Sequence, residues 1–139
     1  MDSIKTLFLL IFFSQWVLLT PDPLDIGNEW IEITPSETLD VITGGAAIYV
    51  DVSHLVKKPL DFDGAKELFP EGSIEGVLIT KNAKEIRISS KGNSFTNEET
   101  FLVVPGVKLI PTNIEIIAVK LRSSIELKGA KVFWKNGRK

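Results

Sequence analysis

The sequence predicts an all-β fold, an antiparallel two-layer β-sandwich of immunoglobulin-like or jelly-roll-like type, preceded by one N-terminal transmembrane helix. Three observations carry that reading. Ile4 to Thr20 is almost wholly apolar and stops at Pro21-Asp22-Pro23. Beyond it, short β-patterned runs recur between turns rich in Gly, Pro and Asn. The body offers only one short stretch with a helical start and stop, Gly64 to Phe69, with Asp63 as its cap and Pro70 after it.

The apolar run counts 17 positions from Ile4 to Thr20. As a helix rising about 1.5 Å per residue it reaches roughly 25 Å, the short limit for a bilayer core. A cleaved signal peptide is the rival. It needs a basic start and a small-x-small site. Here Lys5 and the free amine oppose Asp2, and the end of the run is large (Trp16, Leu18, Leu19) or proline. An uncleaved anchor over residues 1–20 is therefore expected. Lys5 precedes it, and no Lys or Arg follows until Lys57. That asymmetry predicts a cytoplasmic N-terminus and a body outside, periplasmic or extracellular. Trp16 suits the outer interface. Gln15 carries an amide that needs a partner in hydrocarbon, a candidate contact to a neighbouring membrane helix. Residues 21–28 read as a short linker and 29–139 as the external domain.

In the domain, Trp30 to Ile33 alternates. Leu39 to Thr43 and Ala46 to Val52 flank Gly44-Gly45, which reads as a hairpin with Ile48, Val50 and Val52 inward and Tyr49 and Asp51 outward. Ile74 to Thr80 and Lys84 to Ser89 flank Lys81-Asn82-Ala83, a second hairpin. Phe101 to Val104 leads into Pro105-Gly106, a type II turn dipeptide, and on to Val107 to Ile110. Thr112 to Arg122 is the longest strand. Its apolar phase shifts at Ile116-Ile117, so either a bulge keeps both sets buried or both faces are covered there. Ile125 to Leu127 and Lys131 to Trp134 finish the sheet pattern, with Phe133 or Trp134 inward. Eight or nine short strands point to two layers, with a small barrel as the other architecture.

Composition bounds the chemistry. With no cysteine, disulfides, thiolate metal sites and a cysteine nucleophile are excluded. Net charge is −2, but residues 1–76 carry 4 basic and 13 acidic side chains, whereas residues 77–139 carry 12 and 5. In a sandwich the two halves interleave, so opposite charges are expected to meet across neighbouring strands.

His54 is the only histidine. A triad needs a nucleophile and an orienting acid around it, and adjacent Ser53 would point to the other face of a strand. Asp61-Phe62-Asp63-Gly64 has the start of a calcium loop but lacks the distal Glu at position twelve, which is Gly72. Paired carboxylates such as Glu98-Glu99 are ordinary on surface strands. The basic, aromatic end around Lys131, Phe133, Trp134 and Lys135 suits an amphipathic last strand, anionic headgroups or an acidic partner. Exposed Tyr49, Trp30 or Trp134 would suit sugar stacking.

No enzyme motif emerges. The expected function is a membrane-anchored, non-enzymatic interaction module, an accessory or assembly subunit of a cell-envelope complex. Its partners are other membrane or envelope proteins and the membrane itself through the N-terminal helix, with no nucleic acid and no cofactor. The irregular loop from His54 to Gly72 is the candidate partner contact, through His54, Lys57, Lys58, Asp61 and Asp63. The alternative is a secreted or anchored domain that binds carbohydrate or calcium. A hydrolase is the remaining reading.

Overall fold

Alternating apolar and polar side chains give each strand one dry and one wet face, and two such sheets bury their dry faces against each other. A computed structural model describes residues 16–55, 68–96 and 99–136, with the backbone alone for 92–96, 99 and 100. Among them are eleven strands: β1 (Trp16–Leu18), β2 (Leu24–Ile26), β3 (Ile31–Ile33), β4 (Leu39–Asp40), β5 (Ala46–Asp51), β6 (Ile74–Thr80), β7 (Glu85–Ser89), β8 (Gly92–Thr96), β9 (Glu99–Pro105), β10 (Glu115–Ser123) and β11 (Leu127–Asn136). All pairings are antiparallel. The first sheet runs β1-β11-β5-β9-β8, with β2 also on β11. The second runs β3-β10-β6-β7, with β4 also on β10.

The two short pairs are interrupted strands. β1 and β2 pair with successive parts of β11 and are separated by Pro21-Asp22-Pro23. β3 and β4 do the same on β10 and are separated around Pro35. Proline supplies no N–H to a ladder and so breaks an edge strand where a neighbouring chain would otherwise add on. Counting each interrupted pair as one strand, and β8-β9 as one hairpin unit, gives the orders 1-8-3-6 and 2-7-4-5.

The core between the sheets is continuous. Ile48, Val50, Val104 and Val132 from the first sheet meet Ile74, Leu78, Ile116, Val119 and Leu121 from the second, all essentially inaccessible. Ile48, Val50 and Val52 face inward as the alternation predicts, and Tyr49 and Asp51 outward. Trp134 is the inward aromatic of the last strand. The register of β10 shifts between Ile116 and Ala118. Ile117 is the residue displaced to the exposed side, while Ile116, Val119 and Leu121 all stay buried. The bulge therefore keeps the core sets inside, and Ile117 itself is released from them.

Several expectations are corrected. The helix expected up to Thr20 does not reach there: Trp16–Leu18 is a strand on β11, and Leu19 packs into the core. Apolar residues suit a sheet core as well as a bilayer, and the ladder to β11 decides between them. The segment read as linker contains β2, tied to Leu127 and Ala130. Gly44-Gly45 does not close a hairpin. β4 belongs to the second sheet and β5 to the first, and neither glycine takes positive φ, so the pair carries the chain between layers. Gly106 lacks the positive φ of a type II turn, and residues 107–110 form a loop, with Gly106 bridging Ile88 of β7. The hairpin at Lys81-Asn82-Ala83 does form, with Ala83 at φ 63°. Gln15 and the short helix expected at Gly64 to Phe69 lie outside the described residues in whole or for the most part.

Candidate functional site

Of the residues expected to contact a partner, Lys57, Lys58, Asp61 and Asp63 lie outside the described residues. His54 lies in a single 3-10 turn, Ser53–Leu55, directly after β5. Its Nε2 is 2.6 Å from the Lys128 carbonyl oxygen. A carbonyl only accepts, so Nε2 carries the proton. Beside it, Gly129 sits at φ 67° and donates its N–H to Asp25 Oδ1 at 3.0 Å. Ser53 donates both its N–H and its hydroxyl to Asp51 Oδ1, at 2.9 and 2.6 Å. His54 therefore pins the end of β5 to β11, and its Nε2 is directed at a backbone oxygen, not at Ser53. No group of three or more His, Cys, Asp or Glu arranged for a metal ion occurs among the described residues.

The two outer faces of the sandwich differ in chemistry. On the second sheet the register places Glu32 opposite Lys120, Arg122 opposite Glu75, and Val77 opposite Arg87. Arg122 holds the Glu75 carboxylate through Nε and Nη2 at 3.1 and 2.8 Å. Both partners are nearly half exposed, so solvent screens the pair and its contribution is small, about 0.2–1 kcal/mol. The Arg122 guanidinium also covers Trp30 at 4.5 Å from the ring centroid. Beside them a shallow depression of about 500 Å³ is lined by Trp30, Glu32, Val77, Glu85 and Lys120.

The outer face of the first sheet is aromatic. Trp16 opposes Lys135, Phe133 opposes both Leu18 and Tyr49, and Phe101 opposes Asp51. Directly opposed residues of an antiparallel ladder share a face, so β1, β11, β5 and β9 each contribute a ring to one patch. The Trp16 ring lies 5.1 Å from Tyr49, 5.1 Å from Phe101 and 5.9 Å from Phe133. Phe101 is also 6.4 Å from Tyr49 and 5.9 Å from Phe133. Surrounded in this way, Phe101 is buried while the other three rings stay partly open. Lys135 Nζ lies over Trp16 at 4.5 Å and over Tyr49 at 5.9 Å. Burial also pushes the Tyr49 phenol above its ordinary pKa of 10.0. The sequence pattern puts Tyr49 outward but has no means of assembling Trp16 with it, because the apolar run through Trp16 reads as a helix.

No protein-family model and no curated protein matches the chain.

At the flank where the two interrupted edges meet, a groove of about 350 Å³ runs between Val17 and Leu18 on one side and Pro35 to Asp40 on the other. Trp134 contributes to its wall, and the buried Trp134 Nε1 has no hydrogen-bond partner. Leaving that N–H dry and unpaired costs about 1–3 kcal/mol, which is below the ~3–5 kcal/mol lost on truncating a buried Trp or Phe. Burial of the indole wins. Among the described residues, no helix is long and apolar enough to cross a membrane.

Proposed function

We propose that the chain is a non-enzymatic interaction module held at a membrane on its outer side, an accessory or assembly subunit of an envelope complex. One observation carries this: the apolar run passes without a spacer into β1, so Trp16 belongs both to the run and to the outer aromatic patch. Whatever the run enters, the first sheet is held beside it. Counted only to Gln15 the run has 12 residues from Ile4. As a helix that is about 18 Å, against about 30 Å of hydrocarbon. This length suits the apolar centre of an export signal that is retained in the membrane and delivers the body to its outer side. The merged strand orders support the jelly-roll form of the sandwich over the immunoglobulin-like form.

The test is the intact mass of the mature protein taken from its native membrane in gentle detergent. A full-length mass with stoichiometric co-purifying proteins is the expected result. A mass lacking the apolar run, with no companion protein, overturns the anchored-subunit reading.

A second reading, carbohydrate binding, is favoured by Trp30, which is 46% exposed under Arg122 beside the shallow depression. An indole face with adjacent carboxylates and amines suits a sugar ring. A thermal-shift screen against glycans separates the two readings, since a bound sugar raises the melting temperature by mass action. The calcium alternative rests on Asp61 and Asp63, outside the described residues.

A further inference from the structure

We propose that the outer face of the first sheet is a docking surface for an anionic lipid membrane, an inference that rests on the membrane location proposed above. The face joins apolar rings to amines. Trp16, Leu18, Tyr49 and Phe133 form a continuous partly open surface around the buried Phe101, and Leu18 is 46% exposed. Indole and phenol rings partition to the headgroup level, because an apolar body and a polar tip each find their preferred medium there.

Charge points the same way. Lys131 and Lys135 project from β11 on this face, and exposed Lys128 lies just beyond the Gly129 bulge. Lys128 also reaches the exposed Glu126 carboxylate at 3.7 Å. Asp51, across from Lys131, accepts from Ser53, and Asp25 accepts from Gly129; over the rings themselves the charged group is Lys135. A lysine stem lying along aromatic rings with its amine at the rim is the arrangement that reaches a phosphate or carboxylate headgroup from an apolar bed. The opposite face carries Glu32, Glu75 and Glu85 interleaved with Lys120, Arg122 and Arg87, and its exposed indole, Trp30, lies under the Arg122 guanidinium instead of in a cluster of rings.

Position selects the occupant. Fifteen residues precede Trp16, and Leu7 to Phe13 among them is uninterruptedly apolar. A run that enters lipid delivers Trp16 to the interface, and the ring contacts of Trp16 bring Tyr49, Phe101 and Phe133 with it. A protein partner would meet the same rings, but nothing about the apolar run would direct it to this face.

The chain has no cysteine, so single thiol reporters are unambiguous. Lys131→Cys on the aromatic face and Arg87→Cys on the opposite face, both exposed, are made in the full chain and labelled with an environment-sensitive fluorophore. Each is reconstituted with phosphatidylcholine vesicles, with or without phosphatidylserine. The expected result is quenching at position 131 by spin-labelled lipid, stronger in the phosphatidylserine vesicles, and quenching at position 87 by aqueous iodide only. If the protein floats with the vesicles but both positions respond to iodide alone, the docking face is overturned while the membrane location stands. If the protein does not float with either vesicle, the membrane reading fails and this proposal fails with it.

Discussion

Gly76 shows how closely the core tolerates substitution. A Cβ built there would stand 2.8 Å from Ile88 Cδ1 and 2.8 Å from Leu121 Cδ2, on strands to either side of it. Overpacking of this kind costs about 1–3 kcal/mol. The gain from a stiffer unfolded chain offsets only about 0.4–1 kcal/mol. Gly76→Ala is therefore expected to lower stability by roughly 1 kcal/mol, read as a lower urea midpoint at unchanged slope. Tyr49 gives a second expectation. Its phenol is held neutral by burial, so the folded pKa lies above the unfolded 10.0. The unfolded chain then loses that proton first. The stability that Tyr49 contributes is complete below pH 10 and falls as pH rises from there through the higher folded value. Melting temperatures measured across this range should fall less steeply for Tyr49→Phe than for the wild type. Parallel curves would mean that other groups dominate.

At the level of elements, the irregularities matter as much as the strands. β11 changes register between Leu127 and Ala130, and Gly129 at φ 67° makes the kink. A side chain there meets nothing closer than His54 Nε2 at 3.5 Å, so strain in the backbone, not crowding, opposes substitution. Gly129→Ala should lose about 1–2 kcal/mol, with Gly129→Asn recovering part of it because Asn tolerates the left-handed region. Chemical denaturation of the two variants side by side checks this. The strand interiors were legible in the sequence. Ile48, Val50 and Val52 alternate with Tyr49 and Asp51, and period two admits one facing once a core exists. The bulge at Ile116-Ile117 was legible for the same reason, since a broken phase must be absorbed somewhere. The partnership of strands was not. Gly44-Gly45 looks like a hairpin turn locally, yet β4 and β5 find better burial in different layers. Trp16 to Leu19 had the composition of a membrane helix. Only the long-range ladder to Phe133, Trp134 and Lys135 distinguishes a strand from a helix there. The outer aromatic patch was invisible for the same reason, because it draws rings from four strands distant in sequence.

Across the whole molecule, the uneven charge of the two halves becomes local order. Glu32 and Glu75 from the acidic half flank Lys120 and Arg122 from the basic half, and Asp51 lies across from Lys131. On the second sheet the split is thereby taken up between neighbouring strands. Sandwich integrity depends on the strands these charges decorate. A chain ending at Gly129 lacks the pairings of Lys131 to Asn136 with β5 and those of Phe133 to Lys135 with β1. It is expected to lose the cooperative unfolding transition, as read by circular dichroism on heating. A retained sharp transition would show that the second sheet suffices alone. The placement of β11 also sets a timetable. It follows every other described strand in the chain, yet β1, β2 and β5 all pair with it. During synthesis the first sheet must wait, open along its middle, until β11 has left the ribosome. The N-terminal apolar run emerges long before that moment. For the membrane location proposed above, targeting would therefore begin while the polypeptide is still unfolded and threadable, and folding would complete only after the address has been read.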